Sequence, residues 1–374
     1  MGLECSLAGG CAPTATTMDT QTEPPAPDVS TTWPGFSLLF FSSEQADYSK
    51  DKFSLFRKST RIADEKGFEA AWIPERHFHS FGGIFPNPSL LGVVLAESTQ
   101  NLRIRAGSVV LPLHSPIRVA EDWSVVDNLS DGRVDIAFAV GWNPNDFVIA
   151  PNHYEDRVAR TFEGIDTIKQ LWRGETITTD NGVGKPTDIR IYPMPQQPEL
   201  NCWLTCSGGI ERFEQAGKSG FNILTALLFQ SVAELKPKLE AYRAAWDAAG
   251  HAGRGHITLM LHTLVGEDAA TVKETAREPF KAYIESSVDL WKGNETRLDD
   301  LSPRKRDDLF EFAFERYYRN TALMGTPATC TPMVGELADA GVDEIACLID
   351  FGAPEVAILE GLESLDRLRQ GPSA

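Results

Sequence analysis

From Trp33 onward, short and nearly continuous apolar runs alternate with longer amphipathic stretches. The runs are FSLLFF (36–41), AAWIPE (70–75), RIRAGSVVL (103–111), VDIAFAV (134–140), CWLTCS (202–207), FNILTAL (221–227), ITLMLHTLV (257–265) and DEIACLIDF (343–351). An amphipathic segment at 50–66 ends at Gly67, and further helical segments open at NPSLLGVVLAEST, at SPIRVAEDWSVVDNLS and around 155–173. Strands apolar on both faces belong to a parallel sheet covered by helices, whereas a half-exposed sheet would alternate. Eight strand–helix units in succession predict an α/β fold, a (β/α)8 TIM barrel with insertions, over residues 33–374. Two stretches break the rhythm. Residues 174–201 read as a hairpin excursion, and the charged, aromatic segment 280–325 reads as a candidate lid. Residues 1–32, rich in Thr, Pro and Ala without periodicity, are expected to form a disordered leader.

In such barrels chemistry gathers at the carboxyl ends of the strands. The second run ends in Glu75, Arg76, His77 and His79, a concentration of polar groups in a chain with only seven histidines. His77 suits proton transfer near neutral pH. A metal site here would need further ligands at later strand ends, and CWLTCS and FNILTAL supply none. His114 and His153 sit in loops without a partner motif, so no metal is expected. His251 and His256 read as structurally satisfied. Ser207, Gly208 and Gly209 precede a helix starting near Ile210, which is either an anion site of backbone N–H groups or an ordinary N-cap. Gly141, Trp142 and Asn143 suit a planar heteroaromatic ligand, or form a Pro-containing turn.

The net charge of −18 and the lack of a basic patch exclude a nucleic-acid partner. No apolar run approaches the ~20 residues of a membrane span, and the first residues lack the basic region of a signal peptide. An acylation pattern through Gly2 and Ser6 is short enough to arise by chance. The six cysteines are scattered; Cys202 and Cys206 read as one face of one strand, too far apart to pair. Reduced thiols and a cytoplasmic location are expected.

Taken in order, WIPERHFHSFGGIFPNPSLL, AGSVVLPLHSPIRVAEDWSVVDNLSDGR, GWNPNDF, LMGTPATC and GVDEI resemble the landmarks of the bacterial luciferase-like flavin monooxygenases. PERHFH and FSLLFFSS are similar to the subgroup found among nonribosomal peptide and polyketide assembly enzymes. The resemblance implies reduced FMN, O2 and a flavin C4a-hydroperoxide that oxygenates a small-molecule or carrier-protein-bound substrate in natural-product biosynthesis. It also implies a separate flavin reductase and allows a homodimer. The alternatives are an F420-dependent oxidoreductase of the same superfamily and a non-catalytic partner subunit. By position it implies a cis peptide at Gly107–Ser108 against the flavin ring. Asn143 and Gly141 would lie near the flavin, Ser207, Gly208 and Gly209 at its phosphate, and Arg157 would face that phosphate. The catalytic set is His77 and Glu75 with Arg76. Arg76 stands where the family has its catalytic histidine. A guanidinium cannot act as a base at neutral pH; it can anchor an anionic substrate or stabilise a peroxide anion. Ala139 and Val140 replace the luciferase cysteine and arginine near the flavin, so light emission is not expected.

Overall fold

The computed structural model describes residues 33–42, 51–228, 230–291 and 302–372. The expected disordered leader, the acylation pattern, Cys5 and Cys11 lie outside them.

The chain runs β1 (Gly35–Leu39), α1 (Ser54–Lys66), β2 (Ala70–Ile73), α2 (Pro88–Ser98), β3 (Arg103–Val110), α3 (Pro116–Leu129), β4 (Val134–Ala139) and α4 (Arg157–Trp172). After β5 (Ile177–Asp180) and β6 (Pro186–Ile189) come β7 (Asn201–Thr205), α5 (Ile210–Lys218), β8 (Asn222–Ala226), α6 (Val232–Ala248) and β9 (Ile257–Val265). Then follow α7 (Ala269–Trp291), α8 (Pro303–Asn320), β10 (Ala322–Gly325), α9 (Pro327–Asp339), β11 (Glu344–Leu348) and α10 (Glu355–Arg369).

Among the described residues, β1, β2, β3, β4, β7, β8, β9 and β11 pair in parallel and close a barrel, β11 against β1. All eight apolar runs are barrel strands. β5 and β6 form a separate antiparallel pair, the hairpin of segment 174–201. Segment 280–325 holds the end of α7, α8 and β10, a strand that the apolar pattern did not predict; β10 pairs with the carboxyl half of β9, Ala322 opposite His262. α7 and α8 are fastened by the buried rings of Phe280 and Phe314, 6.2 Å apart. The thiols of Cys202, Cys206, Cys330 and Cys347 are free and buried; β7 ends at Thr205, so Cys206 lies just past the strand rather than within it.

The amino half of the barrel interior is charged, yet paired. The Arg105 guanidinium lies between the rings of Trp72 and Trp203, 5.0 and 4.8 Å from their centroids. It donates to Asp135 at 2.8 Å and to Glu344 at 2.5 Å. Both Glu344 oxygens are occupied, one by Ser37 and Trp72, the other by Arg105 and His256. Burial raises the Glu344 carboxyl, but Arg105 and His256 overcome this and hold it far below the usual range. The grouping of Glu69, His256 and Glu344 is thus the floor of the barrel, held by hydrogen bonds at the end opposite the strand termini where barrel enzymes work.

Candidate active site

Past the end of β2 the chain turns, and Glu75 is buried with its side chain fully enclosed. One carboxylate oxygen, Oε2, accepts the backbone N–H of Val110 at 2.8 Å. The other, Oε1, is shared by His77 Nε2 at 2.7 Å and His114 Nε2 at 2.5 Å. Burial alone would raise this carboxyl; the hydrogen bonds from His114, His77 and Val110 outweigh it and hold the group below the ordinary glutamate value. An ionised carboxylate only accepts, so both imidazoles present Nε2–H to it, which leaves Nδ1 as the lone-pair nitrogen of each neutral ring. Desolvation lowers His114, and the bond to Glu75 reverses this and raises it. His77 is nearly enclosed, whereas a third of the His114 side chain is exposed.

His114 has a partner after all: it joins the strand-two cluster across 39 residues of chain. No local motif announces this, because the pair forms only when β3 lies beside β2. The ligand atoms of Glu75, His77 and His114 lie within 4.8 Å of one another. Two nitrogens on one oxygen at hydrogen-bond distance are accounted for without a cation. His79 Nδ1 accepts the N–H of Phe81 at 3.1 Å.

Arg76 is buried, with Nη1 donating to Asp146 Oδ2 at 2.7 Å. Asn143 Nδ2 donates to the other Asp146 oxygen at 3.2 Å, while Asn143 Oδ1 accepts the N–H of Asn145 at 3.1 Å. The connection after β4 therefore reaches the end of β2 through an Asn–Asp–Arg chain. Burial pushes the Asp146 carboxyl up, opposed by Arg76.

The Gly107–Ser108 peptide is cis. A Cβ at Gly107 would stand 2.8 Å from Cε3 of the buried Trp72, so a glycine is needed where β3 crosses that ring. Ser108 hydrogen-bonds Thr205 across the barrel mouth, linking β3 to β7. Ser207, Gly208 and Gly209 follow β7 and are exposed. Gly209 is the N-cap of α5 and offers no side chain to the first-turn N–H groups. There is space around Gly208, the Arg212 N–H is bonded to the Gly209 carbonyl, and the exposed Glu211 carboxylate lies against Gly209; with Glu211 swung outward, the remaining N–H groups of this helix start fit a phosphate. Lys238 adds positive charge there, its Nζ donating to the Gly208 carbonyl at 2.6 Å; it comes from the middle of α6, and nothing in the sequence singled it out. Arg157, at the start of α4, donates to the carbonyls of Gly141 at 3.0 Å and Tyr154 at 2.7 Å. Its described hydrogen bonds hold the connection after β4.

The ends of β2, β3, β4 and β7 thus carry a carboxylate–imidazole cluster, a glycine platform and an uncapped helix start, in the order of the family landmarks. The family's sequence profile matches residues 35–344. The chain belongs to the luciferase-like monooxygenase family. This luciferase-like monooxygenase is 25% identical over 325 residues to the oxygenase component of the flavin-dependent trigonelline monooxygenase of Acinetobacter baylyi, covering 85% of this chain and 89% of that one. The oxygenating constituent of the 3,6-diketocamphane monooxygenase of Pseudomonas putida, solved with FMN, shares the fold with a TM-score of 0.72 at 18% identity, over 90% of this chain and 97% of that one. A solved F420-dependent secondary alcohol dehydrogenase also shares it, with a TM-score of 0.66 at 12% identity, over 90% and 99%. These structural likenesses establish the barrel. The strand-end residues bear on the chemistry. Among the described residues no helix is long and apolar enough to cross a membrane.

Proposed function

We propose that this chain is the oxygenase of a two-component system, taking reduced FMN from a separate reductase and using O2 to oxygenate a small-molecule or carrier-bound intermediate of natural-product biosynthesis. The observation that carries the reading is the buried, ionised Glu75 presenting His77 at the mouth of a luciferase-like barrel. Bound reduced FMN supplies the electrons that activate dioxygen. The N–H groups at Ser207–Gly209, with Lys238 behind them, would hold its phosphate, and the surface at Gly107 and Ser108 would support the ring. Glu75 fixes the His77 ring so that Nδ1 accepts or returns a proton at the reacting centre. Enclosure of Glu75 and Arg76 keeps water from the same region, which protects reactive oxygen species from unproductive decay. The natural-product setting is supported by the PERHFH and FSLLFFSS strings, and the separate reductase by the oxygenase-component relative.

The test is anaerobic titration with reduced FMN, followed by mixing with air in a stopped-flow cell. The wild type is expected to bind reduced FMN and to delay the return of oxidised-flavin absorbance relative to free flavin. In His77→Ala the binding persists and the delay shortens. Absence of reduced-FMN binding, with binding of reduced F420 in its place, would replace this reading by hydride transfer.

A further inference from the structure

We infer that Arg76 is the anchor for a carboxylate group on the substrate, gripped side-on through the guanidinium edge that carries Nε–H and Nη2–H. The inference rests on the reading of this barrel mouth as the substrate site and names the class of molecule that enters it. Of the three guanidinium nitrogens, Nη1 is taken by Asp146. Nε and Nη2 are buried and have no hydrogen-bond partner among the described residues. A buried donor left unpaired carries its whole desolvation penalty, and a charged one more than a neutral one. Burial accordingly pushes the Arg76 guanidinium below its ordinary value, although Asp146 opposes the shift.

The two open groups are not scattered. Nε–H and Nη2–H lie side by side on one edge and point the same way, which matches the two oxygens of a carboxylate. The edge is preorganised. Asp146 holds the opposite corner, Asn143 holds Asp146, and the Arg76 backbone N–H is bonded to the Phe85 carbonyl at 3.0 Å. The Trp142 ring lies over the guanidinium, 5.7 Å from Cζ to centroid, and is 44% exposed. Asp146 and the ionised Glu75 leave no surplus of positive charge, so recognition here depends on paired geometry rather than on long-range attraction. That disfavours a dianionic phosphate and favours a flat monoanion under an indole. Asp146, which holds Arg76, also interacts electrostatically with His77 and Glu75, so a substrate gripped at Arg76 is held near the His77–Glu75 pair.

The test is calorimetric titration of the full chain with benzoate and hexanoate, each against its own amide. At least one carboxylate is expected to bind about ten- to a hundred-fold more tightly than the amide, as for a charge-assisted pair. Arg76→Met should bring that ratio close to one. Arg76→Lys, which keeps the charge but not the fork, should lose most of it. If Arg76→Met does not fold, as judged by circular dichroism, Arg76→Lys decides. Equal binding of acid and amide, no binding of either acid, or a preference that survives in full in Arg76→Met or Arg76→Lys overturns the anchor. FMN binding, followed by flavin fluorescence in the same preparations, separates the two readings. FMN binding without carboxylate preference removes the anchor alone, and preference without FMN binding removes the flavin reading alone.

Discussion

Replacing Glu75 by Gln removes one charge and leaves the shape of the side chain almost unchanged. The carboxylate accepts three hydrogen bonds, from His114 at 2.5 Å, His77 at 2.7 Å and Val110 N–H at 2.8 Å. An amide has one oxygen. If it faces the imidazoles, the amide NH2 meets the Val110 N–H and a buried donor goes unpaired; if it faces Val110, both imidazole N–H groups lose their acceptor. Taking the cheaper orientation, the lost backbone bond costs about 1–3 kcal/mol and the loss of charge assistance in the other two about 1 kcal/mol each. Relief from burying a charge offsets part of this, so the net loss is about 2–4 kcal/mol.

The pH dependence has a definite sign. Glu75 is held below its ordinary 4.5, so its contribution is present above that value and fades as pH falls through the folded pKa. His114 is raised above its ordinary 6.5, so its contribution is full below that value and fades as pH rises through the folded pKa. The difference between wild type and Glu75→Gln is therefore greatest between 4.5 and 6.5 and narrows on both sides. Urea unfolding followed by tryptophan fluorescence across that range reads it directly. A difference flat with pH, or one below about 1 kcal/mol, would refute the shared-carboxylate account.

Gly107→Ala places a Cβ 2.8 Å from Trp72, whose ring is tied by Nε1 to Ser37 and Glu344 at 3.0 Å and cannot retreat; a loss of about 1–3 kcal/mol in urea is expected. Gly335→Ala in α9 meets nothing within 4 Å and should be neutral or gain up to about 1 kcal/mol, so equal effects at the two glycines would contradict the packing argument. Arg105→Met removes one guanidinium from Asp135, which keeps Arg103, and from Glu344, which keeps His256, Ser37 and Trp72, and is expected to cost about 1.5–3 kcal/mol; a thermal midpoint close to wild type would show that the floor network is not the unit described. Gly208→Ala, at φ +92° with open space around the new Cβ, is expected to carry about 1–2 kcal/mol of backbone strain. FMN affinity should fall with it, and unchanged flavin binding would move the phosphate away from this turn.

The eight barrel strands were legible because each is a continuous apolar run between helix-period segments. β10 was not: it is four residues long, follows the charged α8 and has no alternation. The end of β2 was legible as a site because Glu75, Arg76 and His77 are consecutive. His114 was not, since its only tie to the site is a bond to a residue 39 positions away. Lys238 was hidden as one of several charged residues along α6.

The sequence by itself determined the strand–helix alternation, and with it which residues come to the carboxyl ends of the strands. Hydrophobic periodicity is a local property, and a closed parallel barrel carries every strand end to one rim. Only the tertiary structure decided that one oxygen of Glu75 serves two histidines, that Asp146 occupies one corner of Arg76, and that the adjoining buried edge has no hydrogen-bond partner among the described residues. Those are distances between neighbouring strands and their loops. They depend on register and on how each connection folds back over the rim, which no spacing along the chain records.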